Sequence, residues 1–130
     1  SELGISISQH VDDGLPTVKG DRISLQRVFH NLFDNAYKYS GDDKEIKVAL
    51  THGEMSGHVT CRVTNKGQGI PKKRQKDIFV LGTQLDKQSK GMGYGLSIVK
   101  KTVEGLHKGR VVVESDVDST TFIIHLPCVD

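Results

Sequence analysis

Residues 58 to 71 read HVTCRVTNKGQGIP. Val59, Cys61 and Val63 alternate with polar residues, the period of a half-buried strand, and the run ends in Gly67 and Gly69, one residue apart. The segment EIKVALTH at 45 to 52 alternates in the same way and joins the first through GEMSG, so the two read as a β-hairpin. A hairpin in mid-chain weighs against a purely parallel sheet. Glycines at a strand's end let a backbone approach a ligand closely, which makes 64 to 71 a candidate binding loop and Asn65 a candidate contact.

Working outward, ISISQHV at 5 to 11 alternates as a strand, followed by a DDGLP turn. In 21 to 40, Leu25, Val28, Phe29, Leu32, Phe33 and Ala36 carry the period of an amphipathic helix, with Asp21 or Ser24 as its cap. On the other side, Pro71 opens a short helical turn reaching Phe79, and LGTQLDKQSKG at 81 to 91 is polar and uncapped. From Tyr94 a second helix is predicted through Leu96, Val99, Val103 and Leu106, with Lys100 and Lys101 outside. RVVVESD and TTFIIHLP close the chain as strands, the latter with Thr120, Phe122, Ile124 and Leu126 on one face. The order β, α, β, β, loop, α, β, β predicts a two-layer α/β sandwich with a mixed β-sheet. One domain over 1 to 130 is expected, cut from a larger protein.

Composition narrows the function classes. At 130 residues with net charge +2, the chain has room for one core and lacks a basic block of nucleic-acid type. KKRQK at 72 to 76 is read as a solvated turn, so no nucleic-acid partner is expected. Cys61 and Cys128 stand far apart without metal-ligand spacing, and Cys61 lies in an apolar alternation, which reads as a small buried thiol. No apolar run is long enough to span a bilayer. The segment is expected to be cytoplasmic without membrane contact, whether or not its parent is membrane-anchored.

Two constellations carry chemistry. Asn31, Asn35 and Lys38 fall at i, i+4 and i+7, placing two amides and an ammonium on one helical face beside the apolar one. Asparagine competes for the helix backbone, so two in mid-helix need a reason. One is a solvated face; the other is a hydrated Mg²⁺ with phosphates, since Mg²⁺ takes few protein ligands. The second constellation is KGMGYGLSIVKK at 90 to 101, where Gly91, Gly93 and Gly95 open a helix whose unpaired N–H groups suit an anion. No GK[ST] follows, no apolar strand precedes it, and HRD and DFG signatures are absent, so the Walker, dinucleotide and protein-kinase patterns do not apply.

Taken in order, NLFDNAYKYS resembles the N box, NKGQGIP the G1 box, DIF at 77 to 79 the F box and GMGYGLSIVKK the G2 box of histidine-kinase catalytic domains, of the GHKL (Bergerat-fold) ATPase superfamily. The resemblance extends to the closing TTFIIHLP. It implies ATP and Mg²⁺ as cofactors, Asn35 as the Mg²⁺ ligand with Asn31 a turn earlier, and Lys38 and Tyr39 near the phosphates. Asn31 and Lys38 are the implied catalytic positions. The implied base-binding set is Asn65, Gly67, Gly69 and Ile70; Gly91, Gly93, Tyr94, Gly95 and Leu96 lie beneath the phosphates. Residues 80 to 90 match a mobile ATP lid. Within it Lys87 and Lys90 are read equally as γ-phosphate contacts or solvated residues, and Thr120 as the pocket floor or a plain strand threonine.

In the hydrolysing members of this superfamily a glutamate one turn before the Mg²⁺ asparagine assists water. The matching residue here is Asn31, which cannot take a proton. The resemblance therefore implies transfer to an external histidine on a separate helical hairpin, with a response regulator as the indirect partner and this fragment monomeric. His10, in a strand-like segment, is read as structural. The G1 box normally opens with an aspartate that accepts from the adenine amino group, and Asn65 stands in its place. A neutral acceptor is weaker by about 1–2 kcal/mol, or about ten-fold in affinity. Three readings follow: weaker ATP binding, an altered base preference because the amide NH₂ can face a guanine O6, or a degenerate pseudokinase kept for protein contacts.

Overall fold

The computed structural model describes residues 6–40, 45–53, 57–67, 69–80 and 95–129. Strand β1 (Ser6–Val11) is followed by helix α1 (Arg22–Tyr39), then β2 (Glu45–His52) and β3 (His58–Lys66). Helix α2 (Gly95–Lys100) continues as a π-helical segment, Lys101–Leu106, before β4 (Arg110–Ser115) and β5 (Ser119–Pro127). The five strands form one sheet in the order β1-β2-β3-β5-β4. β1 and β2 pair in parallel, and the other three pairings are antiparallel. The parallel pair follows from the α1 crossover between its strands, whereas β2–β3 and β4–β5 are hairpins. This is the mixed two-layer arrangement the sequence predicts.

Both helices lie on the same side of the sheet. Val28, Leu32 and Ala36 of α1 and Val99 and Val103 of the second helix meet Ile46, Cys61, Val63, Phe122, Ile124 and Leu126 in one core, each at most 4% exposed. Phe79 stands edge-on to Phe122, with centroids 6.1 Å apart, a favoured aromatic geometry. The cap of α1 is Asp21, whose carboxylate accepts from the Ser24 N–H at 2.9 Å. The helix stops where Ser40 turns extended and bridges to Gly67, which ties the end of α1 to the end of β3.

Two elements depart from the sequence pattern. The turn after Pro71 is two separate 3₁₀ turns, Lys72–Arg74 and Asp77–Phe79. The second helix does not keep its α period to Leu106: the His107 N–H bonds to the Thr102 carbonyl five residues back, 3.1 Å away. Wider turns take more residues, so His107 occupies the buried position that an α-helix would give Leu106, and Leu106 is 62% exposed. His107 is fixed there on both nitrogens. Its Nδ1–H donates to the Thr102 carbonyl and its Nε2 accepts from the Asp21 N–H, each at 2.8 Å. Cys61 is buried and unpaired, and burial pushes its thiol up to about 12. His10 lies on the exposed edge strand, its Nε2 2.8 Å from the Asp12 carboxylate.

Candidate nucleotide-binding site

The core-facing residues of β3 and β5 end, at one edge of the sheet, in a polar pair. Asn65 and Thr120 are cross-strand partners, 2% and 3% exposed, so their side chains leave the same face as neighbours. The Asn65 Nδ2 donates to the Lys66 carbonyl at 3.3 Å. Turning the amide over would set Oδ1 against that carbonyl oxygen, acceptor against acceptor, so chemistry holds the NH₂ there. Oδ1 is the end left for an incoming donor.

The glycine loop is held by β4 and β5. Gly67 has φ 141°, a conformation that side chains rarely adopt, and its N–H donates to the Asp118 carbonyl at 2.9 Å. At Gly69 a Cβ would stand 1.6 Å from the Asp116 carbonyl oxygen. The close approach expected of this glycine is thus made to the protein's own backbone. The Ile70 N–H donates to the Ser115 hydroxyl at 2.7 Å, and Ile70 itself is buried in the core cluster. Gly69, Ile70, Pro71, Lys72, Ser115, Asp116 and Val117 line a cleft of about 480 Å³. At its rim Asp116 is held below the ordinary Asp value chiefly by the Asp118 N–H, while Asp118 is raised chiefly by its hydrogen bond with Asp116.

The other half of the site lies where α1 meets α2. Asn31 packs on Gly95, where a Cβ would sit 3.5 Å from the Asn31 Oδ1. The Asn31 Nδ2 is buried with no hydrogen-bond partner among the described residues, a costly state for a polar group. Asn35, one turn on, is half-buried, as are Tyr39 and Leu96. Lys38 is exposed and paired with Asp34 at 3.2 Å, a contact of little energetic weight in water. Lys87, Lys90, Gly91, Gly93 and Tyr94, with residues 81 to 90 of the lid, lie outside the described residues.

The structure therefore brings Asn31 to Gly95, Asn65 to Thr120, and Gly67 to the end of α1. A buried amide donor with no partner among the described residues, packed on Gly95 of α2, suits a phosphate oxygen or a metal-bound water, and the Asn35 amide oxygen is a hard donor of the kind Mg²⁺ takes. Among the described residues no group of three His, Cys, Asp or Glu side chains is placed to hold a metal, so a metal here would rely on phosphates and water for most of its shell. Ser115 lines the cleft beside the glycine loop and is a candidate that sequence reading missed. It ends an ordinary alternating strand, and only the folded contact with Ile70 reveals it.

A mixed sheet with both helices on one face, a glycine loop at its edge and amides on the facing helix define a nucleotide-binding ATPase fold. The chain belongs to the family of histidine kinase-, DNA gyrase B- and HSP90-like ATPases, whose model matches residues 20–130. More narrowly, it is similar to the catalytic domains of sensor histidine kinases. The adaptive-response sensory kinase SasA of Prochlorococcus marinus subsp. pastoris is 37% identical over 116 residues, 87% of this chain and 31% of that protein. The catalytic domain of histidine kinase ThkA superposes with a TM-score of 0.84 at 29% identity, covering 99% of this chain and 84% of that one. Full-length ShkA in complex with AMPPNP gives a TM-score of 0.84 at 26% identity, covering 98% and 26% of the two chains. The chain thus spans about a third or less of the length of the full sensor kinases it matches.

Proposed function

We propose that this domain binds Mg²⁺–ATP and passes the γ-phosphoryl group to a histidine on a separate helical hairpin, within two-component signalling. The observation that carries the reading is the buried Asn31 Nδ2 on Gly95, which has no hydrogen-bond partner among the described residues. A fold tolerates such an orphan where a ligand supplies the partner. Full-length ShkA, part of which shares this fold, is a complex with AMPPNP, which supports a nucleotide as the ligand. In this reading the base lies against Asn65, Thr120 and Ile70, and Asn35 holds the metal. Asn31 and Lys38 donate to phosphate oxygens, and Gly91, Gly93 and Gly95 keep side chains out of their way. Bound Mg²⁺ would neutralise phosphate charge.

Catalysis then rests on positioning and charge stabilisation rather than on a protein base. Asn31 can donate to a phosphate but cannot deprotonate water, which favours transfer over hydrolysis. A pseudokinase acting through protein contacts is the second reading, favoured by one observation: a neutral Asn65 where the resembled motif carries a carboxylate. Mixing the domain with the phosphoacceptor hairpin of its parent protein and γ-labelled ATP separates them. Acid-labile, alkali-stable label on the hairpin is expected. ATP binding without any label over hours supports the pseudokinase.

A further inference from the structure

Ser115 makes more hydrogen bonds than one hydroxyl proton can serve as donor, and that fixes the polarity of its neighbours. Its Oγ lies 2.7 Å from the Ile70 N, 2.8 Å from the Ser119 carbonyl oxygen and 3.0 Å from the Thr120 Oγ1. The Ile70 N–H can only donate, and the Ser119 carbonyl can only accept. Of its two carbonyl neighbours, Ser119 at 2.8 Å and Asp116 at 3.3 Å, the nearer takes the Ser115 proton; sent to Thr120, it would leave two oxygens with facing lone pairs 2.8 Å apart. It follows that the Thr120 hydroxyl donates to Ser115. With its proton spent, Thr120 has only lone pairs left for a further partner, and its cross-strand neighbour Asn65, whose NH₂ is held by the Lys66 carbonyl, has Oδ1 left in the same way.

We infer that Ser115 is a positioning residue that makes this subsite accept only, and so selects a purine with an amino group at position 6 over one with a carbonyl there. The inference rests on the ATP-binding reading above. Adenine brings two amino protons to two acceptors. Hypoxanthine and guanine bring an oxygen, which leaves acceptors facing each other and unpaired in a buried site. On this inference the alternative in which the Asn65 NH₂ turns to a guanine O6 is disfavoured: that turn would forfeit the Lys66 contact, while Thr120 would offer O6 no proton.

The test compares ATP with ITP, which differ at position 6 and in the N1 proton that follows, by calorimetric titration in Mg²⁺ of the whole chain. The wild type is expected to bind ATP about ten-fold more tightly than ITP. Ser115→Ala frees the Thr120 hydroxyl to rotate and donate. The ATP-to-ITP ratio should then fall to about two- to three-fold, partly because ITP binds better, and Ser115→Thr should restore it. Thr120→Val keeps the Ser115 bonds to Ile70 and Ser119, removes one acceptor, and should lower the ratio as well; it decides the matter if Ser115→Ala does not fold. Loss of affinity for both nucleotides in equal proportion, with the ratio held, would show a merely structural Ser115 and overturn the inference. Failure of the wild type to bind either nucleotide would overturn the ATP-binding reading, and this one with it.

Discussion

The two ends of the candidate site are built differently. At the base end every described polar contact closes on the protein. Asn65 is tied to Lys66, Thr120 to Ser115, Ile70 to Ser115, and Gly67 to Asp118. At the phosphate end Asn31 buries an amide NH₂ with no partner among the described residues and Lys38 points into water beside Asp34. Buried networks that are fully satisfied are rigid, and groups left unsatisfied cost stability. On the proposed reading, the base end is shaped by folding, with the Asn65 Oδ1 left as an acceptor, and the phosphate end is completed by what binds there.

The largest effects should come from asking each end to accept one methyl group. Gly69→Ala sets a Cβ 1.6 Å from a backbone oxygen, so it should cost at least about 3 kcal/mol in urea unfolding. At Gly95 the nearest atom is 3.5 Å away, and Gly95→Ala should leave stability within about 1 kcal/mol of wild type while weakening Mg²⁺–ATP binding. Equal losses of stability at the two glycines would erase the contrast between the ends.

Asn31→Leu sharpens the same contrast by trading function for stability. Removing a buried donor without a partner should raise unfolding stability by about 1 kcal/mol, while ATP affinity falls about ten-fold or more. A destabilised Asn31→Leu would mean that Asn31 is a satisfied core residue. Asn65→Asp acts at the other end and in the other direction. A charged acceptor should tighten ATP by about ten-fold, seen as a lower Kd by calorimetry, and no change would show that this position does not read the base.

The smallest effect concerns the shared support. Asp21 caps α1, and its hydrogen bonds from the Ser24 hydroxyl and N–H hold the carboxyl below its ordinary value of 3.8. A carboxyl depressed in the folded state stabilises above its unfolded value and loses that contribution as pH falls through the folded one. Wild type and Asp21→Ala should therefore differ in thermal midpoint at neutral pH and converge in acid below 3.8.

Much of the fold was legible because it follows local periods. The alternation in 45–52 and 58–66 and the apolar stripe on 21–40 gave the hairpin and α1, since each element buries one face. The π-helical segment was not legible. Its sequence keeps a plausible α period to Leu106, and only the packing of His107 onto the α1 cap tips the register. In the candidate site, Asn31 and Asn35 stood out as amides in mid-helix, and Asn65 as the amide just ahead of the two glycines. Ser115 did not, because its role depends on a contact with Ile70 across 45 positions. Gly69 was found for one reason and proves necessary for another, its tight approach to Asp116.

The central claim is that folding leaves the phosphate end waiting for a ligand. Calorimetric titration of the chain with ATP, with and without Mg²⁺, set beside adenosine alone, tests it most directly. The account predicts saturable ATP binding that strengthens with Mg²⁺ and far exceeds that of adenosine. No heat with millimolar Mg²⁺–ATP, or adenosine binding as tightly as ATP, would contradict it.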